Sequence, residues 1–380
     1  MNCIKLRQKL HQHPELSNSE VGTAARLVEY LTPLAPDHII TGIGGTGVAV
    51  CFGDGATGNT VMLRCELDAL AITETNTFDY RSITAGISHK CGHDGHMAIL
   101  AAVAQYYAKN RLENGRLILL FQPAEETGEG AKKVLEDKIA QQFKPDFVFA
   151  LHNVPKYPMG GVLIKTGTIC CASRGVIIRL TGKTAHAAQP ETGNSPIKAV
   201  YQLLPLFEQL PMLINSQSDF TFATVVGVKL GEKSFGTSPS DAEIYVTLRS
   251  EHNNEMKRLV DIVNDKVIEL AIQHKLAYSI ESEDVFDATV NHEAAVEIIT
   301  SALSEEPVHL TPHPFPWSED FGQFTKLYCG ALFGLGAGED TPALHNSDYD
   351  FPDQLIETGS RYFIKIAEHC FNIKLGSGST

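Results

Sequence analysis

The sequence predicts an α/β protein: a sheet domain with helices on its faces, interrupted by an inserted ferredoxin-like unit. Three observations carry this expectation. Apolar β-rich runs alternate with helical periodicity through the first half of the chain. From about Arg174 the rhythm becomes strand, helix, strand, strand, helix, strand, which is the β-α-β-β-α-β order of a two-layer ferredoxin-like domain. Past residue 285 a helix, a strand and a long helix remain, too few for a domain of their own, so they rejoin the first. The expected boundaries are 1–172 and 286–380 for the sheet domain and 173–285 for the insertion.

A length of 380 residues fits two domains of ordinary size. With 43% hydrophobic and 20% charged residues, the chain is of globular composition, which excludes disordered, collagenous and coiled-coil classes. Lys and Arg number 31 against 45 Asp and Glu, and the formal charge of −14 works against nucleic-acid or anionic-membrane partners. The N-terminus has no apolar leader and no run of 18 apolar residues occurs, so a cytoplasmic protein is expected. Eight cysteines without a C-x-x-C pair argue against a disulfide framework or zinc ribbon. Fifteen histidines, several beside Cys, Glu or Asp, make a metal site worth testing.

In order along the chain, IKLRQKLHQHPE and SEVGTAARLVEYL read as two helices broken at Pro14, by apolar spacings of three and four. TGVAVCF and NTVMLRCELD read as strands, and the turn-rich GDGATG between them suits a hairpin. A helix from His93 to about Lys109, strand RLILLFQ, helix GEGAKKVLED and strands FVFALH and GVLIKTG follow. The insertion contributes GVIIRLTGK, SPIKAVYQLLPLFEQL, FTFATVVGVKLG, AEIYVTLRS, EMKRLVDIVNDKVIELAIQHK and AYSIESED. HEAAVEIITSALSE, GALFGLG and a C-terminal helix complete the order, and the GSGST tail has no structural signal.

GIGGTG at 42–47 formally matches a dinucleotide fingerprint, but it precedes a strand where that site needs strand, loop and helix. No G-x-S-x-G and no H-E-x-x-H occurs, so serine-hydrolase and zincin readings lose their main support. HKCGHDGH at 89–96 sets three His, one Cys and one Asp just before an apolar helix. Its glycines leave the backbone permissive, so Cys91 and His93 can converge on one ion, a thiolate and an imidazole suiting zinc, manganese or cobalt. A surface loop with a buried thiol is the alternative. FQPAEETGEG puts Glu125 and Glu126 at a strand end, where adjacent side chains diverge and can divide labour between water and metal; acids favoured by a helix dipole are the alternative.

His152 ends the strand FVFALHN, and His345 lies in TPALHNSDYDF, a turn after another apolar strand. Open α/β sheets bind ligands at the carboxyl ends of their strands, and Cys91, Glu126, His152 and His345 all fall at such ends or in adjoining turns. RCELDAL adds Glu66 and Asp68 at one more strand end, where Asp68 either orients a ligand imidazole or serves as a turn residue. His186, in GKTAHAAQP, stands among alanines that leave its ring unobstructed for a ligand, although a solvated loop histidine is the ordinary reading.

Together, LHQHPELSNSE, HKCGHDGHMA, FQPAEETGEGA, LHN, GKTAHAAQP, SEDF and LHNSDYDF resemble the di-metal aminoacylase and carboxypeptidase amidohydrolases, in the branch of hippurate hydrolases, auxin-conjugate hydrolases and N-acetyldiaminopimelate deacetylases. The resemblance spans nearly the whole chain. It implies a catalytic α/β domain interrupted by a ferredoxin-like lid that also dimerises, so a homodimer is expected. By resemblance, Cys91, His93, Glu126, His152 and His345 are ligands of two divalent ions, Glu125 is the general base, and Asp68 is the orienting carboxylate. His186 matches the lid histidine that reaches a neighbouring subunit's site to stabilise an oxyanion. Two positions depart: the branch has Asp where this chain has Glu66, one methylene longer, and an N-V-I-P-like lid motif where it reads Gly236, Thr237, Ser238, Pro239, which lacks an Asn side chain that helps hold substrate.

The expected activity is metal-dependent hydrolysis of the amide of an N-acylated amino acid. A carboxypeptidase or dipeptidase on the same residues is the rival enzyme, and a non-catalytic binding protein the rival class.

Overall fold

A computed structural model describes residues 2–214, 218 and 220–373; the GSGST tail lies outside the described residues. In chain order the first part comprises α1 (Cys3–Gln12), α2 (Val21–Leu31), β1 (His38–Ile43), β2 (Gly47–Phe52), β3 (Thr60–Glu66), α3 (His93–Lys109), β4 (Arg116–Gln122), α4 (Gly130–Glu136), β5 (Phe147–Val154), β6 (Val162–Ile164) and β7 (Gly167–Cys170). Next come β8 (Ala172–Thr181), β9 (Ala185–His186), α5 (Ile197–Leu213), β10 (Thr221–Leu230), β11 (Thr237–Ser238), β12 (Asp241–Ser250), α6 (Asn253–Gln273) and β13 (Ala277–Phe286). The chain closes with β14 (Thr289–Asn291), α7 (Glu293–Ala302), β15 (Val308–Leu310), α8 (Gly322–Thr325), β16 (Cys329–Gly336) and α9 (Leu355–Asn372).

Two compact units result. One takes in the described residues of Met1–Ile169, Thr289–Pro314 and Asp320–Thr380, the other Cys170–Ala288 and Phe315–Glu319. The short return of Phe315–Glu319 to the second unit has a direct cause: Cys171 N–H donates to the carbonyls of Phe315 and Trp317, each at 3.2 Å.

The first unit holds an eight-stranded mixed sheet in the order β1-β2-β4-β3-β5-β16-β6-β15. Its centre, β4-β3-β5-β16, is parallel. These strands are apolar without alternation because both faces are covered, so nearly every residue is buried. Val61, Leu63, Leu119, Phe121, Phe149 and Leu151 pack with the apolar sides of α3 and α9 in one continuous core.

One sequence expectation is overturned here. β2 and β3 do not form a hairpin, since β4 lies between them. β2 pairs antiparallel with β1 instead, through the Gly-rich turn at 44–46, and β3 reaches β4 in parallel through α3. Turn-rich composition marks where the chain bends; which strand becomes the neighbour depends on the crossover helix and on the apolar face that must be covered.

The second unit is a four-stranded antiparallel sheet ordered β10-β12-β8-β13. Val176, Ile178 and Leu180 of β8 and Ile244, Val246 and Leu248 of β12 alternate onto one face, where they meet Leu203 and Phe207 of α5 and Leu259, Val263 and Val267 of α6. No helix among the described residues is long and apolar enough to cross a membrane.

Tight packing at Gly130 fixes the turn after β4. A Cβ there would overlap the main-chain carbonyl of Pro123, whereas one at Gly236 would meet nothing within 4 Å. Alanine favours a helix over glycine by about 1 kcal/mol, but overpacking costs about 1–3 kcal/mol and the obstacle is backbone. Gly130→Ala is therefore expected to lower the melting temperature and Gly236→Ala to leave it unchanged; equal melting curves for both would refute the packing argument.

Candidate metal centre

The four central parallel strands end on one edge of the first unit's sheet, and the candidate residues gather there. Cys91 and His93 precede and open α3, with Gly92 between them at φ +97°. Only glycine fits: the conformation is left-handed, and a Cβ would collide with the Asn153 side chain. Glu125 and Glu126 follow β4 in a turn closed by Gly128 N–H to Glu125 O at 2.7 Å. His152 stands within β5, and His345 lies nine residues beyond the end of β16.

The ligand-type atoms converge. Cys91, His93 and His152 form one group of donors lying within 4.8 Å of one another, Cys91, Glu126 and His345 a second, and His93, Glu125 and Glu126 a third. Cys91 Sγ is 3.4 Å from His152 Nε2. His93 Nε2 is 3.8 Å from Glu125 and 3.9 Å from Glu126, and His345 Nε2 is 3.9 Å from Glu126.

Hydrogen bonds outside the cluster set which nitrogens face it. His93 Nδ1 donates to the Asp68 main-chain carbonyl at 2.9 Å, and His152 Nδ1 donates to the Asn153 carbonyl at 2.9 Å. Each imidazole therefore turns its Nε2 inward, the nitrogen that a metal would take once it has given up any proton. His93 Nε2 is buried without a hydrogen-bond partner. Asp68 acts through two groups: its carbonyl holds His93, while its carboxylate accepts from Ser17 Oγ at 2.7 Å and Glu126 N–H at 2.9 Å and stands 3.5 Å from His93 Nδ1.

Electrostatics call for a cation. Burial pushes the Cys91 thiol well above its ordinary pKa, and the Glu126 and Glu125 carboxylates push it further. Burial works against a charged His93, but Asp68, Glu66 and Glu126 outweigh it and raise the ring to about 10. A surplus of negative charge thus surrounds donors aimed at a common centre, and a divalent cation would satisfy both features while favouring the thiolate. The donor set of thiolate, imidazole and carboxylate fits such an ion.

His186 belongs to the second unit. It is exposed on β9, opposite Thr237 of β11. Its Nδ1 accepts the Ala188 N–H at 3.1 Å, which leaves the proton on Nε2, the form able to donate to an anion. The departing residue Gly236 sits beside it, accepting Ala187 N–H at 2.9 Å.

Two buried networks escaped sequence reasoning. Glu66 accepts from His96 Nδ1 at 2.6 Å and pairs with Arg64, whose Nη2 meets Asp320 at 2.6 Å. Burial opposes the charge on Glu66, yet Arg64 and His96 hold its pKa well below the carboxylate range. The signal available was the three-residue spacing of His93 and His96, which places both on one side of α3. In the second network Arg7, fully buried, meets Asp94 at 3.1 Å and Asp350 at 2.8 Å, and His11 lies between Asp94 and Glu74, each at 2.9 Å.

With this geometry in view, comparison with known proteins identifies the class. Peptidase family M20/M25/M40 matches residues 62–369. The chain is 30% identical over 368 residues to a hippurate hydrolase of Campylobacter jejuni, covering 96% of this chain and 95% of that one. It is 30% identical over 372 residues to an N-acetyldiaminopimelate deacetylase of Priestia megaterium, covering 96% and 97%. The fold matches that of a dinuclear metal-binding M20 peptidase from Bacillus subtilis with a TM-score of 0.80 at 23% identity, covering 98% of both chains. The chain belongs to peptidase family M20/M25/M40. It is a hydrolase acting on amide or peptide bonds.

The His11 network generates a pH dependence. Burial disfavours the charged ring, but Asp94 and Glu74 raise its pKa from 6.5 to about 9. Asp350 at 3.9 Å adds negative charge, while Arg7, paired with Asp94 and Asp350, and Lys90, paired with Glu74, are the opposing groups. Because the folded value is the higher, the stabilisation is complete below pH 6.5 and is lost as pH rises through about 9. In chelator, the denaturation midpoint of the wild type is expected to fall across that interval more steeply than that of His11→Gln; parallel slopes would show that His11 is not the titrating group.

Proposed function

We propose that the protein hydrolyses the amide bond of N-acyl amino acids, using two divalent ions held by Cys91, His93, Glu126, His152 and His345. The observation that carries this reading is the sharing of Cys91 between the Cys91–His93–His152 and Cys91–Glu126–His345 groups, since one thiolate common to two donor sets suits a pair of ions. Manganese, zinc and cobalt all accept this mixture of ligands. Bound there, the ions would polarise the scissile carbonyl and lower the pKa of water.

The remaining chemistry falls to this chain's side chains. Glu125, buried beside Glu126, accepts a proton from water as the water oxygen joins the carbonyl carbon. It returns that proton to the nitrogen as the C–N bond breaks, so a carboxylic acid and a free amine leave. His186, with its proton on Nε2, donates to the developing oxyanion. Asp68 fixes both His93 and the Glu126 main chain.

The residues 173–285 act in this reading as a ferredoxin-like lid and dimerisation domain. Support for the dimer comes from the edge strand β10, which exposes Phe222, Val226 and Val228, and from α5, which exposes Ile197, Tyr201 and Met212. A cytoplasmic setting belongs to the same reading, in keeping with eight free cysteines.

N-acyl amino acids are favoured because hippurate hydrolase and N-acetyldiaminopimelate deacetylase match along nearly their whole length. A carboxypeptidase or dipeptidase is the second reading, favoured by the peptidase family itself. A panel of N-acyl amino acids and dipeptides, each with added manganese, cobalt or zinc, separates them: faster turnover of dipeptides would replace the first reading by the second.

Glu125→Gln is expected to abolish turnover and leave metal content unchanged, because the amide keeps the shape but cannot accept the proton. Wild-type kcat in this variant would remove Glu125 from the mechanism. His186→Ala is expected to lower kcat about a hundredfold or more. If His186 acts across a dimer, mixing it with Glu125→Gln restores part of the activity, because one site of the heterodimer holds both intact residues. Absence of recovery after demonstrated subunit exchange would reject action in trans.

A further inference from the structure

Lys90 sits between His89 and Cys91 with its side chain fully buried, an uncommon environment for an ammonium. Its three donors have three acceptors: Glu74 Oε1 at 2.5 Å, Asn76 Oδ1 at 3.1 Å and the Tyr349 carbonyl at 2.8 Å. The Lys90 carbonyl in turn accepts the His345 N–H at 2.8 Å. One residue therefore grips the 345–349 segment at both ends.

The same segment is held from the side by Thr75 N–H to Ser347 O and by Asn76 Nδ2 to Asp348 O, each at 3.0 Å. Glu74 is itself fixed by His11 Nε2 at 2.9 Å and by Ser82 N–H at 2.6 Å. His345 needs such restraint, because it stands at φ +66°, a left-handed conformation that residues with side chains rarely adopt. The other imidazoles do not depend on Lys90: His93 hangs from the Asp68 carbonyl and His152 from that of Asn153.

We propose that Lys90 is a positioning residue that fixes His345 relative to Cys91, and so sets the affinity of the Cys91–Glu126–His345 donor group for its ion. Stability alone is a weaker explanation, since buried ion networks seldom outperform apolar packing of the same volume and their best-attested use is to enforce one register. The inference rests on the donor assignment above, and it makes an asymmetric claim: loosening Lys90 weakens one of the two donor groups and spares the Cys91–His93–His152 group.

Cobalt(II) titration of the metal-stripped full-length protein tests it, followed by the d–d bands and the thiolate-to-cobalt charge-transfer band. The wild type is expected to take up two equivalents. In Lys90→Met, which keeps the aliphatic stem, the first equivalent should bind with unchanged affinity and spectrum, and the second should weaken about tenfold or more. Asn76→Ala loosens the same segment while Lys90 keeps Glu74 and the Tyr349 carbonyl, and should weaken the second equivalent in the same direction and leave the first unchanged. Wild-type affinity for both equivalents in the two variants overturns the proposal, as does equal weakening of both equivalents together with a fall in melting temperature. A wild type without a thiolate-to-cobalt band overturns the donor assignment itself, and the proposal with it.

Discussion

Negative charge gathered at the carboxyl edge of the central strands is the constraint on which the arrangement depends. Glu66, Asp68, Glu125 and Glu126 crowd the ends of β3 and β4, with the Cys91 thiol among them. Buried carboxylates at this density need compensation, and the chain provides it in two ways. Glu66 receives Arg64 and His96, and Asp68 receives hydrogen bonds from Ser17 and Glu126 N–H. Glu125 and Glu126 instead face the inward nitrogen of His93, where a bound cation would add further positive charge.

The imidazoles show how such a centre is preorganised. A histidine in water samples both tautomers and many ring orientations. Here main-chain carbonyls take the Nδ1 protons of His93 and His152, so both rings are oriented with Nε2 inward before any ion arrives. His186 is set the opposite way, its Nδ1 accepting from Ala188 so that Nε2 carries the proton. His152 and His186 thus present two chemistries, lone pair and donor, and the difference lies in their backbone contacts.

Behind the site lies a second layer of buried charge. Arg7, His11, Asp94, Glu74 and Lys90 connect α1 with the loop that bears Cys91 and the segment that bears His345. Such a network costs desolvation on every member, and its return is geometric: each group has a partner in only one arrangement of the loops. A purely apolar filling would tolerate sliding, which a donor set spaced by a few ångströms does not.

The sequence by itself determined which candidate metal-ligating side chains are present and roughly where they fall. The spacing within HKCGHDGH, the adjacent glutamates and the histidines after apolar strands were legible because metal ligands are few in type and the strand-end rule is local. Element types were legible for the same reason: α3 runs from His93 to Lys109 as its periodicity indicates, and α5, α6 and α9 follow their apolar spacing. Tertiary structure alone decided the strand order, which puts β4 between β2 and β3, because neighbours in a sheet are chosen by crossovers and covered faces. It also decided that Arg7 and Lys90 are interior. Their partners lie up to 343 and 259 residues away, and a charged residue reads as surface until the fold brings its counter-charges to it. Cys91 and His152 are 61 residues apart, so no pattern within a window could show that they meet; the parallel strands bring them together by ending on the same edge.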